Sequence, residues 1–93
     1  MREARVQVEA RGTIRYWAAA KEAAGTAEEP YAAGTLADAL RQARERHGGG
    51  RFAEVLSRCS FVVDGDPVGR RDHDAVTLRD GGVVEVLPPF AGG

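Results

Sequence analysis

Val83-Val84-Glu85-Val86-Leu87 is apolar on both alternations: Val84 and Val86 fall on one side, Val83 and Leu87 on the other, and only Glu85 is polar. A strand with one wet face alternates apolar and polar residues, so this segment belongs at the centre of a sheet, or its second face meets a partner. With 93 residues there is room for one hydrophobic core, because two would leave each half near the roughly 40 to 50 residues at which unaided folding fails. The sequence therefore predicts one domain over 1–93, with 1–11 as an added strand segment or a loosely held lead.

The other elements follow from local pattern. Val6 to Tyr16 alternates with the period of a half-buried strand: Val6, Val8, Ala10, Ile14 and Tyr16 on one face, Gln7, Glu9, Arg11 and Arg15 on the other. Gly12 interrupts it, as a bulge or as the join to the extension. Trp17 to Ala24 is a run of helix formers closed by Gly25. Glu28 to Ala32, with Pro30, suits an edge strand. Thr35 is a capping hydroxyl for the main helix, with Asp38 in its first turn, Leu36, Ala39, Leu40 and Ala43 along one stripe, and Gly48 at its end. Phe52, Val55, Leu56 and Cys59 share a helical spacing, which predicts a second short helix over Arg51 to Arg58. Asp64-Gly65-Asp66 is a hairpin turn between Ser60–Val63 and Pro67–Val68.

Charge and cysteine content exclude several function classes. Thirteen Lys and Arg against 14 Asp and Glu leave a net charge of -1, which offers no footprint for nucleic acid or for an anionic membrane surface. A single cysteine cannot form an internal disulfide, no apolar run is long enough to span a bilayer, and Met1 to Arg5 lacks a signal-peptide core, so the cytoplasm is expected. Asp64-Gly65-Asp66 lacks the remaining ligands of a calcium loop. Asp72-His73-Asp74 reads as a solvated turn and His47 as a cation near a helix C-terminus, so no metal site is expected. Cys59 reads as a core thiol rather than a nucleophile, and Lys21 and Glu22 as surface charges. Side chains alone form no active site.

The C-terminal segment is the remaining candidate. After the last strand come Pro88-Pro89, which cannot donate ladder bonds and hold the chain extended, then Phe90-Ala91-Gly92-Gly93. With 12 glycines in the chain, a Gly-Gly pair is weak by itself. In this context it completes an arm, residues 88–93, whose tip has no side-chain bulk and can enter a narrow tunnel, with the terminal carboxylate as its reactive group.

Leu87-Pro88-Pro89-Phe90-Ala91-Gly92-Gly93 resembles the end of the ubiquitin-like sulfur carriers, and among them the MoaD-type small subunit of molybdopterin synthase. Tyr16-Trp17-Ala18 followed by Lys21-Glu22-Ala23-Ala24-Gly25, Thr35-Leu36, and the Asp80-Gly81-Gly82 turn before the last strand are similar to the same family. The resemblance implies an α+β fold of the β-grasp type, a mixed sheet packed on one main helix. It implies that an adenylyltransferase of the MoeB type uses ATP to convert the Gly93 carboxylate to an acyl-adenylate, and that a sulfur donor displaces AMP to leave a thiocarboxylate. Gly92, Ala91, Phe90, Pro89, Pro88 and Leu87 would then contact a MoaE-type large subunit, which supplies the catalytic side chains for building the molybdenum cofactor. No bound cofactor is expected on this chain. Carriers for thiamine or cysteine synthesis share the Gly-Gly end, and a ubiquitin-like conjugating or interaction module would use the same arm; both stay open on sequence.

Overall fold

The computed structural model describes residues 9–89. In chain order the elements are β1 (Ala10–Tyr16), α1 (Ala18–Ala24), β2 (Glu28–Ala33), α2 (Leu36–His47), α3 (Arg51–Leu56), β3 (Ser60–Val63), β4 (Asp66–Pro67), a 3₁₀ turn (His73–Ala75) and β5 (Val83–Leu87). The strands form one mixed sheet ordered β2-β1-β5-β3-β4. Strand β5 lies at its centre, parallel to β1 and antiparallel to β3, as its two apolar alternations require. This is the β-grasp architecture, with α2 held against the sheet. Among the described residues, no helix is long and apolar enough to cross a membrane.

Local chemistry accounts for the element ends. The Thr35 hydroxyl accepts from the Asp38 backbone N–H at 3.2 Å and so caps α2. Gly25 closes α1 in the left-handed region at φ 76°, its N–H donating to the Lys21 carbonyl. Asp64 and Gly65, both at positive φ, make the two-residue turn of the β3–β4 hairpin, so Asp66 begins β4 instead of belonging to the turn. The short helix ends at Leu56, before Arg58 and Cys59; Cys59 lies beyond it, half-buried, with Sγ donating to the Val55 carbonyl at 3.2 Å.

One face of the sheet is covered by the helices. Ile14, Tyr16, Tyr31, Ala33, Phe61, Val63, Val84 and Val86 point inward and pack on Leu36, Ala39, Leu40, Ala43, Phe52 and Leu56. Val84 and Val86 are 0% exposed, and burial of such a side chain contributes about 1.5 to 3 kcal/mol. Gly12 is neither bulge nor join. It sits in unbroken register between Arg11 and Thr13, opposite Tyr31, where a Cβ would fall on the Gly82 carbonyl oxygen and the Tyr31 ring. The Tyr31 hydroxyl is fixed there by donation to the Arg79 carbonyl at 2.8 Å. The expected Val6, Gln7 and Val8 part of the strand lies outside the described residues.

A polar cluster closes one end of the core. Glu29 on β2, with a side chain 10% exposed, accepts from the Tyr16 hydroxyl at 2.5 Å and from His47 Nε2 at 2.8 Å, with Arg46 at 3.3 Å. The His47 ring also packs at a tilt against Phe52, 4.7 Å between centroids. Burial alone would raise the Glu29 pKa, but the hydrogen bonds from Tyr16 and His47 and the charge of Arg46 together hold it below the ordinary carboxylate value. Burial pushes the Tyr16 hydroxyl the other way, far up.

Two outcomes follow for stability. Gly12→Ala must displace the Tyr31 ring or the Gly82 backbone and is expected to cost about 1 to 3 kcal/mol, read from the urea midpoint; an unchanged midpoint would show that the strand tolerates a Cβ there. Because the folded Glu29 carboxyl has the lower pKa, its contribution is present above the unfolded value of about 4.3 and fades as pH falls through the folded one. Glu29→Gln is therefore expected to lower stability at pH 7 by about 1 to 3 kcal/mol and to flatten the acid limb of Tm against pH. A parallel acid limb in the variant would assign the acid loss to other carboxylates.

Candidate functional site

The arm leaves the sheet from its centre. Leu87 is the last residue of β5 and pairs with Ser60, so the backbone is still held by the ladder where Pro88 begins. Half-buried Pro88 and exposed Pro89 then line an open groove of about 410 Å³ with Ala19 of α1 and Arg51, Glu54, Val55 and Arg58 of the α3 region. Arg58 pairs with Glu54 at 3.4 Å, while Arg51 has no ion pair among the described residues. The root of the arm therefore borders an open groove of mixed apolar and charged side chains. Phe90, Ala91, Gly92 and Gly93 lie outside the described residues, so of the predicted site the structure places Leu87, Pro88 and Pro89.

The sheet face opposite the helices is open. Thr13 and Arg15 of β1, Val83, Glu85 and Leu87 of β5 and Val62 of β3 alternate away from the core and are half-buried. Trp17, 45% exposed, stands at the end of this face where β1 turns into α1. Its backbone N–H donates to the Val86 carbonyl at 3.2 Å, and its indole Nε1–H donates to Glu85 Oε1 at 3.2 Å. The next residue, Ala18, takes φ 49°, a left-handed conformation that costs an L-residue of order 1 kcal/mol. That turn sends α1 toward the core while Trp17 stays on the open face. Across the sheet, Arg15 Nε lies 3.5 Å from Glu28 Oε1.

The side-chain candidates weighed from sequence do not assemble an active site. Cys59 and His73 both line a second cleft of about 350 Å³, with Arg44, between α2, α3 and the 3₁₀ turn. Burial raises the Cys59 pKa, which keeps the thiol protonated and poorly nucleophilic. His73 packs edge-on against Phe61, centroids 5.2 Å apart, in a short 3₁₀ turn instead of a loose solvated one. His47 is spent on Glu29, a contact between residues 18 apart that its position at a helix end gave no sign of. Lys21 and Glu22 are exposed, as expected. Of the Trp17–Glu85 pair the sequence carries one signal, a lone acid in an otherwise apolar strand.

The ThiS family profile matches residues 14–93, which takes in all of the chain from Ile14 of β1 onward. Among curated proteins nothing matches. Among solved structures, the small archaeal modifier protein 1 of Methanosarcina acetivorans superposes with a TM-score of 0.74 at 21% identity, covering 94% of this chain and 100% of that one. A Pyrococcus furiosus chain assigned as molybdopterin converting factor, subunit 1, gives 0.72 at 25% identity, over 87% and 99%. The complex of subunits 1 and 2 of molybdopterin-converting factor from Helicobacter pylori gives 0.63 at 23% identity, over 89% and 99%. A β-grasp sheet whose central strand runs straight into a Pro-Pro arm, matched by one family profile over 14–93, makes this chain a member of the ThiS family of ubiquitin-like sulfur carriers.

Proposed function

We propose that the chain is the small, sulfur-carrying subunit of molybdopterin synthase, acting in the cytoplasm. The observation that carries this reading is the arm: its root is held by the centre of the sheet, and its sequence ends in two residues without side-chain bulk. The similarity to molybdopterin converting factor subunit 1, including one structure bound to subunit 2, supports it.

The chemistry is assigned to the Gly93 carboxylate. A carboxylate is a poor electrophile, so an adenylyltransferase first attaches AMP from ATP, releasing pyrophosphate. Sulfur from a donor then attacks the carbonyl carbon, the carbon–oxygen bond to AMP breaks, and a thiocarboxylate remains. Its sulfur is soft, anionic and nucleophilic near neutral pH. Gly92 and Ala91 let the backbone pass close to the walls of a partner's tunnel. Phe90 anchors the arm in an apolar pocket, and Pro88-Pro89 restrict it before docking, which reduces the entropy lost on binding. The open face bearing Val83, Leu87 and Trp17 docks on the large subunit. This chain supplies no catalytic side chain, in keeping with the raised pKa of Cys59.

A second reading has its own support. The similarity to an archaeal modifier protein favours use of the same activated arm to form isopeptide bonds with lysines of other proteins. Both readings share the adenylate and part at the acceptor.

Intact-mass spectrometry after incubation with the adenylyltransferase, ATP and a sulfur donor is expected to show a gain equal to replacement of one oxygen by sulfur. A chain lacking Gly93 should show none and should keep the same circular dichroism. A gain in the truncated chain would move the chemistry elsewhere, and lysine-linked conjugates in place of a thiolated small product would favour the modifier. Phe90→Ala is expected to weaken binding to the large subunit by about 1 to 4 kcal/mol, as for other buried aromatic anchors. Unchanged affinity in a calorimetric titration would take Phe90 out of the interface.

A further inference from the structure

On the open face of β5 a charge stands between two apolar residues. Glu85 is flanked along β5 by Val83 and Leu87 and paired across the sheet with Val62. It accepts one hydrogen bond, from the Trp17 indole, although a carboxylate has about four acceptor sites. Among the described residues no Arg, Lys or His nitrogen lies within ion-pair distance of it. The nearest neighbour in register is Arg15, and that guanidinium turns the other way, to Glu28. The row Glu28, Arg15, Glu85 thus carries two carboxylates and one cation.

We infer that the partner docking on this face presents an arginine to Glu85, and that the Trp17–Glu85 pair is the specificity element of the interface. The inference rests on the proposed use of this face for docking. A partner covering Val62, Val83, Leu87 and Trp17 strips water from Glu85, and a buried carboxylate without a counter-charge is too costly for stable binding. The partner must therefore bring a cation. An exposed indole lying beside a carboxylate suits a guanidinium in particular: it stacks on the ring while its planar fork bonds the carboxylate, which an ammonium cannot do. The arrangement also rejects partners with an acid or an apolar residue at that point, which is how an interface discriminates between related surfaces.

The test is calorimetric titration of this chain with molybdopterin synthase large subunit from the same organism, in low and high salt. Glu85→Gln is expected to weaken binding by about 30-fold or more and to remove most of the salt dependence. Glu85→Arg is expected to abolish binding, and the variant large subunit with its opposing arginine changed to Glu should restore it. Leu87→Ala is the control for the face itself, with circular dichroism confirming that each variant folds. If Leu87→Ala weakens binding while both Glu85 variants bind like the wild type, the charge inference is overturned and the docking face stands. If none of the three alters affinity, the docking face falls. Failure of the wild type to bind would overturn the proposed function as well.

Discussion

The fold hangs on the parallel pairing of Thr13–Tyr16 with Val83–Val86, which joins strands from opposite ends of the chain. Nothing local favours that ladder: the partners are 70 residues apart in sequence, so the entropy of closing the intervening chain must be met before the first bond forms. The hairpins and helices between them are what make closure feasible. The Asp64-Gly65 turn brings β4 onto β3, the Thr35 cap starts α2, and β3 offers β5 an edge with apolar partners. Once inserted, β5 is held on both sides, and Val84 and Val86 lose all contact with water. The root of the arm is therefore as stable as the core, because the strand that completes the core is the one that continues into Pro88.

The same strand divides the protein into two environments. Its even residues face helices and are sealed by apolar contact; its odd residues face outward and are half-covered. On the sealed side the polar groups are paired with each other, Glu29 with Tyr16 and His47, since groups so largely covered are satisfied by protein partners. On the open side, among the described residues, Glu85 has only the Trp17 indole. Identical chemistry, a carboxylate on a strand, is structural in one place and available in the other. The difference is which face of the sheet it occupies and how many donors reach it.

Much of this was legible in the sequence. The two-faced apolar pattern of Val83–Leu87 located β5, the capping Thr35 and the stripe from Leu36 to Ala43 located α2, and Asp64-Gly65 located the hairpin. Period and turn chemistry act over a few residues, so they are written locally. The reason for Gly12 is not local: it is the approach of the Gly82 carbonyl and Tyr31 ring, brought there by pairings that no short window contains. The Glu29–His47 contact and the Trp17–Glu85 bond are hidden for the same cause. Cys59 was placed on a helical stripe by spacing, yet α3 ends at Leu56 and the residue lies past it, because spacing does not register where a helix stops. The arm residues Pro88 and Pro89 and the strand that leads into them are legible in the sequence, and the fold adds what no local pattern contains: the groove that they line with Arg51, Glu54 and Val55.

A chain that acts through a terminal carboxylate does not choose its substrate with a pocket built around the reactive group. On the sulfur-carrier reading, every enzyme that acts on Gly93 meets the same Gly-Gly tip, and any related carrier would offer a nearly identical one. Discrimination must then come from surfaces that hold the body of the carrier while the arm is engaged. The helix-covered side is committed to the core, and the groove at the arm root is continuous with the arm itself. What remains is the open face, where specificity requires something more directional than apolar area, because apolar contact rewards many partners alike. A single under-bonded carboxylate beside an exposed indole supplies that direction at little cost to folding, since both groups are solvated until a partner arrives.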